Sequence, residues 1–469
     1  MTRRLSFLAA VVVLSLSAQT RHTPAQGNTD TVHLPSGGNL QAAVTRMAKT
    51  GGRITLDAGG SYTGPITFPK RPEGSPVVTI TTKGSLPERR LGEADRPLLA
   101  TINATNADGA LRFENTSGYR IDGVALTMPV PTHEVAVIQD SDHITLDRLL
   151  FVSPSGQKRV VRGNGRHITL TRSYLDGGAW PGQDSQAFCA WEGAGPYSIT
   201  NNLLAASGEN IMFGGADNYL HAGADNPADI LIEGNHVYKP LAWKSKPGTV
   251  KNLIELKNAT RVIVRNNIFE NNWTDAQPGW SFVITPVNQD SRAPWTAVKD
   301  VLIERNVFIG VERGFNIIGK AYAHVTQQTS GIVIRKNVFE SPGQFLQAAS
   351  EVKDLTIEDN VILTRYNVLT FYVGGVRDAQ GGPMRDSQVA VERFVFRNNI
   401  GRWTGYGYHS EVGLGLAALK GRTGSFVHEG NRLVKAAPDA NHAFPAGAQE
   451  ITEDQLQAAK AALLKELGR

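Results

Sequence analysis

The most constraining feature of this 469-residue chain is a column of charges that alternate in sign from one repeat to the next. Each charge stands two positions before an asparagine, and the residues three and five positions before that asparagine are apolar in nearly every repeat. Such alternation is typical of a short β-strand that buries one face and exposes the other. The charges are Glu233, Arg265, Glu304, Arg335, Glu358, Arg397 and Glu429, and the asparagines are Asn235, Asn267, Asn306, Asn337, Asn360, Asn399 and Asn431.

The alternating signs also predict how these strands are arranged. Parallel strands stacked in register lie about 4.8 Å apart, and equal charges at adjacent positions would repel one another. We therefore expect one continuous parallel sheet wound as a coil, in which the charges have a structural role. The asparagines are expected to bond to one another along the coil and to tolerate a left-handed backbone conformation at its corner.

Both ends of the repeat region carry helix signals. Residues 39–49 predict a short helix, and residues 452–468 predict an amphipathic helix with a capping box at Thr452 and Gln455. An open solenoid end exposes core and unpaired strand edges, so we expect these helices to cover the two ends. The resulting domains are 1–25 for a signal peptide and linker, 26–435 for the coil, and 436–469 for a tail with the second helix.

The sequence motifs that recur in the repeats resemble those of a known group of proteins. With a bare coil of 23 to 25 residues, Ile-x-Ile-x-x-Asn-x-Phe/Val words and a capping helix, the chain resembles the right-handed parallel β-helix proteins of the pectate-lyase-like superfamily. The resemblance covers roughly residues 35–435. It implies an all-β fold, a single-stranded right-handed parallel β-helix, and leaves the chemistry open because that fold hosts lyases, hydrolases, epimerases and adhesins.

Charge and targeting signals narrow the compartment and the partners. Arg3 and Arg4 precede an apolar run from Leu5 to Leu16, which is typical of a signal peptide and too short for a membrane span. We expect an exported protein, periplasmic or extracellular, that is a monomer. The single Cys189 excludes an intrachain disulfide. The net charge of +5 without a basic cluster gives no sign of nucleic acid and suits an acidic polysaccharide.

Tryptophans are concentrated in one part of the chain. Six of the seven fall between Trp180 and Trp295, where the repeat spacing also lengthens. Flat aromatic side chains pack against the C–H faces of sugar rings, so the concentration indicates saccharide binding, although anchoring of loops to the coil explains the same residues. The candidates for contact with sugar rings are Trp243, Trp273 and Trp280.

A second strand precedes each asparagine-bearing strand, and on one of these Glu255 and Lys257 are predicted to face outward. The resemblance implies that lyases of the group place their catalytic cleft on this face. A lyase acting on a uronic acid must neutralise the substrate carboxylate and remove the adjacent proton with a base. Lys257 is the candidate base, with Glu255 and Glu192 binding a cation or the substrate. An exposed Glu–Lys pair on a solvated strand is the alternative.

Two further groups of residues complete the candidate site. A polar block that resembles a stretch of some secreted bacterial β-helix proteins supplies predicted substrate contacts at Lys251, Asn288 and Gln289. A Gly-rich loop supplies hard oxygen ligands that suit Ca²⁺. Asp and Asn are also common in turns, so turn formation explains the same residues. The candidate ligands are Asp217, Asp225 and Asp229.

These observations favour an exported carbohydrate-active β-helix protein. The most concrete reaction is β-elimination of an acidic polysaccharide, with Ca²⁺ as the only cofactor that the sequence suggests. A non-catalytic glycan-binding or cell-surface β-helix protein is the alternative. A glycoside hydrolase or epimerase is third.

Overall fold

The structure is a computed structural model that describes residues 30–153, 156–218, 223–245, 248–321, 323–377, 382–436 and 444–469. The predicted signal peptide lies outside the described residues. Most of the described strands stack in parallel into three columns, sheets A, B and C, which each turn of the chain visits in the order A, B, C. Two short antiparallel pairings, at residues 375–386 and 408–414, are the exceptions. This arrangement is the parallel β-helix that the repeats predict.

Local alternation of apolar residues sets the strand bounds. In chain order the strands are β1 (Thr31–Leu34), β2 (Gly52–Leu56), β3 (Ser61–Gly64), β4 (Ile66–Phe68), β5 (Val78–Thr82), β6 (Ala100–Ala104), β7 (Leu111–Glu114), β8 (Ser117–Thr127), β9 (Glu134–Val152), β10 (Arg159–Thr171), β11 (Tyr174–Asp176), β12 (Gln186–Ala190), β13 (Tyr197–Thr200), β14 (Leu203–Ala205), β15 (Ile211–Phe213), β16 (Ala228–Glu233), β17 (His236–Tyr238), β18 (Ile254–Leu256), β19 (Ala259–Arg265) and β20 (Ile268–Asn272). They continue as β21 (Trp280–Ile284), β22 (Val298–Glu304), β23 (Val307–Val311), β24 (Arg313–Ile318), β25 (Ser330–Arg335), β26 (Val338–Ser341), β27 (Leu346–Ala349), β28 (Lys353–Glu358), β29 (Val361–Thr364), β30 (Leu369–Tyr372), β31 (Gly375–Val376), β32 (Arg385–Asp386), β33 (Val391–Arg397), β34 (Ile400–Trp403), β35 (Tyr408–Ser410), β36 (Gly413–Leu414), β37 (Thr423–Glu429), β38 (Arg432–Lys435) and β39 (Gln449–Ile451).

The pairings sort these strands into the three columns. Sheet A contains β1, β2, β5, β13, β16, β19, β22, β25, β28, β33 and β37, and sheet B contains β3, β6, β11, β14, β17, β20, β23, β26, β29, β34, β38 and β39. Sheet C contains β4, β7, β12, β15, β18, β21, β24, β27, β30 and β35. The long strands β8, β9 and β10 pass through a corner and belong to more than one column.

The charge column confirms the predicted register in sheet A. Glu233 pairs with Arg265, Arg265 with Glu304, and the alternation continues in register to Glu429. Three arginines bond the glutamate of the preceding turn: Arg265 with Glu233 at 2.9 Å, Arg335 with Glu304 at 2.8 Å, and Arg397 with Glu358 at 2.7 Å. The charges therefore hold neighbouring turns together along one edge of the sheet.

The asparagines form the predicted ladder at the corner between sheets A and B. Each Nδ2 donates to the Oδ1 of the asparagine in the next turn, as from Asn235 to Asn267 at 3.0 Å, and the ladder runs from Asn202 to Asn431. The left-handed backbone conformation was predicted at the ladder asparagine itself, which is one residue too far along the chain. The residue before the asparagine adopts it, such as Asn266 at a φ of 57° or Gly234 at 69°, and this leaves the ladder amide free to point inward.

The interior of the coil is apolar, and aromatic rings stack within it. Phe269 and Phe308 are fully buried with ring centroids 4.9 Å apart, and Phe339 continues the stack 5.6 Å beyond Phe308. Turn after turn, the inward residues of sheet A add pairs such as Ile230 and Ile232 to the same core. Hydrophobic burial along the whole coil therefore supplies the stability that a disulfide would add elsewhere.

The first helix behaves as the end cap that the sequence predicts. It is α1 (Leu40–Met47), and the Asn39 side chain accepts the N–H of Ala42 at 2.9 Å as its N-cap. The helix buries Leu40 and Val44 against the first turn. Two further helices are α2 (Leu416–Arg422) and α3 (Glu453–Glu466), and 3-10 turns span Glu93–Leu98 and Leu241–Ser245. Among the described residues, no helix is long and apolar enough to cross a membrane.

The C-terminal helix α3 has the predicted capping box, but its predicted position at the far end was wrong. It lies along the outer surface of sheet B, where Leu456 belongs to one apolar cluster with residues of several successive turns, including Val338 and Val361. Glu466 bonds Arg305 at 2.7 Å on one of these turns. The physical reason is that sheet B exposes an apolar stripe that needs a cover. The helix α2 instead buries Leu419 in the main core at the last turns.

Candidate functional site

The predicted Glu–Lys pair lies on the outer face of sheet C. Glu255 is the central residue of β18, and its neighbours Ile254 and Leu256 point into the core. Lys257 follows the strand, and its Nζ lies 3.2 Å from Oε1 of Glu255. Gly214 on the preceding turn makes this approach feasible, because a Cβ there would lie 2.6 Å from Cβ of Lys257.

Glu255 is not the exposed strand residue that the alternative interpretation requires. Its side chain is 3% exposed, whereas that of Lys257 is 20% exposed. Beside it, Glu209 is 1% exposed, and the two carboxyls are hydrogen bonded to each other. Two carboxyls this close hold one proton between them, because both cannot ionise together without strong repulsion.

The surroundings divide this proton unequally between the two carboxyls. Burial raises the pKa of Glu255 to about 7, with Lys257 opposing and Glu209 adding to the shift. Burial alone would also raise the pKa of Glu209, but Lys251 at 3.4 Å and the amide of Gln186 at 2.8 Å outweigh it and lower that pKa. Glu209 is thus the ionised partner, and Glu255 is the carboxyl that titrates near neutral pH.

Asn252, Gln277 and Asp184 also belong to the hydrogen-bonded cluster around the two carboxyls. Asn252 donates its Nδ2 to Oε2 of Glu255 at 3.2 Å and to Gln277 at 2.8 Å. Lys251 bonds Asp184 at 2.6 Å as well as Glu209. Burial would lower the pKa of Lys251, but Glu209 and Asp184 raise it. The predicted substrate residue Lys251 therefore belongs to the same cluster as Glu255 and Lys257.

A fully buried ammonium holds the turn that carries Glu209. Nζ of Lys239 donates to the carbonyl oxygens of Ala206, Ser207 and Gly208 and to Oδ1 of Asn210, at 2.5 to 3.0 Å. Burial lowers the pKa of Lys239 to about 7, and the charge of Glu209 opposes this shift. Neither Lys239 nor Glu209 was assigned a role by sequence reasoning, although both lie in the polar block noted there.

The structure places the third predicted catalytic residue, Glu192, in a separate group. Its carboxylate accepts hydrogen bonds from Gln139 at 2.8 Å and Asn164 at 3.3 Å. Among the described residues, no ion pair joins Glu192 to Lys257. Its neighbour Trp191 lies under the guanidinium groups of Arg159 and Arg162, at 5.0 and 5.8 Å from the ring. This arginine-rich group lies on the same outer face as the lysine cluster, and Cys189 and Met212 lie between Arg162 and Glu255 in register.

The three predicted sugar-binding tryptophans differ in exposure. Trp280 is 3% exposed and lies under the guanidinium of Arg313 at 5.5 Å, and Trp243 is also buried. Both therefore anchor their loops in this conformation. Trp273 is half-buried, with the ammonium of Lys244 5.3 Å from its ring, and it is the most exposed of the three.

The remaining predicted contacts organise a loop beside the site. Asn288 is buried, accepts the N–H of Ala293 at 2.8 Å, and donates to the carbonyl oxygen of Val325 at 2.8 Å. The backbone N–H of Gln289 donates to Asp217 at 2.6 Å. Asn288 and Asp217 thus fix the loop, whereas the Gln289 side chain is exposed.

The predicted calcium ligands have other partners. Asp217 accepts N–H groups on both oxygens, from Gln289, Asp290 and Arg292. Asp229 pairs with Arg261 at 2.7 Å, and this hydrogen bond lowers the pKa of Asp229. Asp225 is half-buried in the same loop. The structure does not gather these three carboxylates into a ligand set. In the part of the chain that is described, the one group with metal-ligand spacing is Asp142 with His143 and His167.

A group of exposed aromatic rings farther along sheet C was missed by sequence reasoning. Tyr372 and Tyr406 are 38% and 48% exposed, and their ring centroids lie 6.3 and 5.4 Å from that of His409. In register, His409 continues the outward column of Glu255 through Val283 and three further turns. The tyrosines do not recur at one position of the repeat, so the sequence gives no sign that Tyr372 and Tyr406 lie close together.

Comparisons with known proteins agree with this architecture. No protein-family model and no curated protein sequence matches the chain. The catalytic unit of the thermostable GH87 α-1,3-glucanase from Streptomyces thermodiastaticus is similar with a TM-score of 0.55 and 11% identity, over 91% of this chain and 71% of that chain. The catalytic domain of a GH87 α-1,3-glucanase variant in complex with tetrasaccharides gives 0.56 and 10%, over 87% and 70%.

An alginate lyase from a Paenibacillus species has a TM-score of 0.42 and 14% identity, over 70% of this chain and 94% of that chain. The two glucanase structures share the long parallel coil described above. This chain is a right-handed parallel β-helix protein. At such identities the similarity establishes the fold alone, so the chemistry of the β-helix must be argued from its own residues.

Proposed function

We propose that this β-helix is a carbohydrate-active protein that cleaves an acidic polysaccharide by β-elimination, with Lys257 as the base. One observation carries the proposal. A partly exposed amine lies 3.2 Å from a buried carboxyl whose pKa is about 7, on the outer face of sheet C. Such a pair can hold and transfer a proton near neutral pH, which is what proton abstraction from a sugar requires.

The charges around the pair suit a polyanionic substrate. Lys251 and Lys257 are each 20% exposed, and Arg159 and Arg162, on a strand three steps away, are 19% and 20% exposed. Each of these cations pairs with a carboxylate of the chain, and the proposed acidic polysaccharide would exchange with those partners and lie along the solenoid axis. The positive net charge of the chain is consistent with this substrate class.

Each step of the proposed reaction has a group to perform it. Lys251 pairs with the uronate carboxylate and protonated Glu255 donates a hydrogen bond to it, which acidifies the adjacent C5–H. Lys257 is the base that removes that proton, the C5–H electrons form a C4=C5 double bond, and the C4–O bond breaks. The leaving oxygen takes a proton from solvent or from a neighbouring acid. Lys257 then releases its proton to water, which restores the pair.

The same geometry disfavours a glycoside hydrolase that uses Glu209 and Glu255. Hydrolytic carboxyl pairs stand about 5 to 9.5 Å apart to flank the bond that is cleaved. Glu209 and Glu255 are instead hydrogen bonded to each other, so no sugar fits between them. The glucanases named above support the scaffold for a glycan, and the direct pairing of the carboxyls favours elimination.

A non-catalytic glycan-binding protein is the second candidate, favoured by one observation. Glu209 and Glu255 are 1% and 3% exposed and neutralised by their lysines, an arrangement that can also serve stability alone. Under either reading the protein is proposed to act outside the cell as a monomer on a polysaccharide. Measurable cleavage of a polysaccharide distinguishes the lyase from the non-catalytic binding protein.

The experiment is to follow the ultraviolet absorbance of unsaturated products with a panel of acidic polysaccharides, with Ca²⁺ added or chelated. An increase with one substrate is expected, and Lys257→Met should reduce its rate by about 10² to 10⁴. Lys336→Met, at an exposed lysine beside sheet A, is the matched control and should leave the rate unchanged. Flat traces across the panel together with measurable glycan affinity would reject the lyase and favour the binding protein.

A further inference from the structure

A second group of chemically active side chains lies outside the cluster around Lys257. Asp142 and His143 are consecutive residues of β9, and His167 is on β10. The register pairs Asp142 with Arg166 and Ile144 with Ile168, so the two histidines are neighbours on successive turns of the coil. Their rings stack with centroids 4.2 Å apart and planes 18° from parallel.

One carboxylate oxygen brings the two rings together. Nδ1 of His143 and Nδ1 of His167 each lie 2.7 Å from Oδ1 of Asp142. Asp142 itself is 5% exposed, and its second oxygen, Oδ2, is buried without a hydrogen-bond partner. A buried carboxylate oxygen that lacks a hydrogen bond is costly unless a cation approaches it.

The cation that the chain itself offers to Oδ2 is poorly placed. Nη2 of Arg166 lies 3.4 Å from Oδ2 without hydrogen-bond geometry, and the same nitrogen lies 3.4 Å from Glu73. The Arg166 and Glu73 side chains are 53% and 62% exposed, so this ion pair is mobile and weakly held. The carboxylate therefore retains capacity for a more compact cation.

We propose that Asp142, His143 and His167 form a binding site for a divalent transition metal of the Zn²⁺ type, which bridges two consecutive turns of the solenoid. One ligand atom from each residue lies within 4.8 Å of the other two. Imidazole nitrogen and carboxylate oxygen bind Zn²⁺ at about 2.0 to 2.2 Å, and tetrahedral ligands around it lie about 3.3 Å apart. The two 2.7 Å contacts reach that spacing with small ring rotations.

The exposure of the two rings makes such a site accessible. The His143 and His167 side chains are 44% and 45% exposed, whereas the carboxylate beneath them is buried. A cation can therefore enter from solvent, keep a water as its fourth ligand, and be held from below by Asp142. Because the ligands come from β9 and β10, the bound ion links these two turns and stabilises the folded coil by mass action.

The test is direct Zn²⁺ titration of the metal-stripped, full-length protein by calorimetry, with thermal unfolding followed in parallel. We expect saturable binding of one ion per chain and a melting temperature that rises with Zn²⁺. His143→Ala and His167→Ala should each weaken binding by at least about tenfold and abolish the rise. His33→Ala is the matched control, because His33 also contacts a carboxylate, Asp57 at 3.1 Å, but has no second histidine in that pair.

A fourth variant separates a metal site from a hydrogen-bonded histidine stack. Arg166→Ala removes the guanidinium that competes for Oδ2, so it should strengthen Zn²⁺ binding, whereas a purely structural stack predicts no gain. Equal affinity in the wild type and both histidine variants would overturn the proposal. An affinity unchanged by Arg166→Ala would contradict the shared use of the Asp142 carboxylate. Each variant can be checked for folding by circular dichroism before titration.

Discussion

At the scale of single residues, buried charge is the unusual property of this β-helix. Lys239 is fully buried, and four oxygens surround its ammonium. Lys239→Met keeps the length of the side chain but leaves these acceptors unpaired in the interior, which should cost about 3 kcal/mol or more. Thermal and urea unfolding measure the loss, and Lys244→Met at an exposed position should cost almost nothing. Equal stability of the two variants would contradict the role of Lys239 in holding the Glu209 turn.

A second residue-scale prediction concerns pH. The folded chain binds the Glu255 proton more tightly than the unfolded chain, since burial raises its pKa to about 7. The stability that this group contributes is complete below the ordinary glutamate pKa and is lost as pH rises through about 7. Glu255→Gln does not titrate, so its melting temperature relative to wild type should increase between about pH 5 and pH 8.

The control for this comparison is Glu340→Gln. The Glu340 side chain is 50% exposed and pairs with Lys460 on the surface, so the same chemical change removes no buried titrating group. Its melting temperature relative to wild type should not follow the Glu255→Gln curve. A Glu255→Gln difference that is constant over the pH range would show that the carboxyl is ionised throughout and is not the proton reservoir of the pair.

At the scale of the strands, register is the testable quantity. Arg335 lies between Glu304 and Glu358 in the charge column of sheet A. Arg335→Glu creates three consecutive acids about 4.8 Å apart, and we expect a loss of about 1 to 2 kcal/mol that shrinks at high salt. Unfolding at low and high salt measures it. Lys336→Glu makes the same charge change at the next, exposed position outside the column, so a loss of equal size there would contradict the ladder.

Features that depend on fixed repeat positions could be predicted from the sequence, whereas contacts between distant turns could not. Strand register, the asparagine ladder and the capping box of α3 depend on residues at fixed repeat positions, so they could be predicted. The location of α3 could not, because the apolar stripe on sheet B is assembled from turns that are far apart in the chain. The site shows the same limit. Lys251 and Asp184 are 67 residues apart, and irregular loops decide that they meet.

At the scale of the whole molecule, one outward column of sheet C joins the lysine cluster to the exposed tyrosines, although Val283 and Thr370 within it are buried. The column that begins at Glu255 reaches His409 after five strand steps, a distance of about 24 Å at about 4.8 Å per step. The exposed rings of Tyr372 and Tyr406 surround His409 at that distance. A chain of several sugars lying along the axis would therefore contact the lysine cluster and the tyrosines at once.

This geometry predicts a dependence on chain length. Tyr406→Ala should weaken the binding of long oligosaccharides of the substrate by about 1 to 2 kcal/mol, the size of a lost aromatic contact, and should leave the shortest ones unaffected. Calorimetry with size-fractionated oligosaccharides measures both. Ile309→Ala, at an exposed apolar residue on sheet B, is the control. If Tyr406→Ala weakened short and long ligands equally, the tyrosines would belong to the reaction centre itself. If it weakened neither, the substrate would run across the coil and not along it.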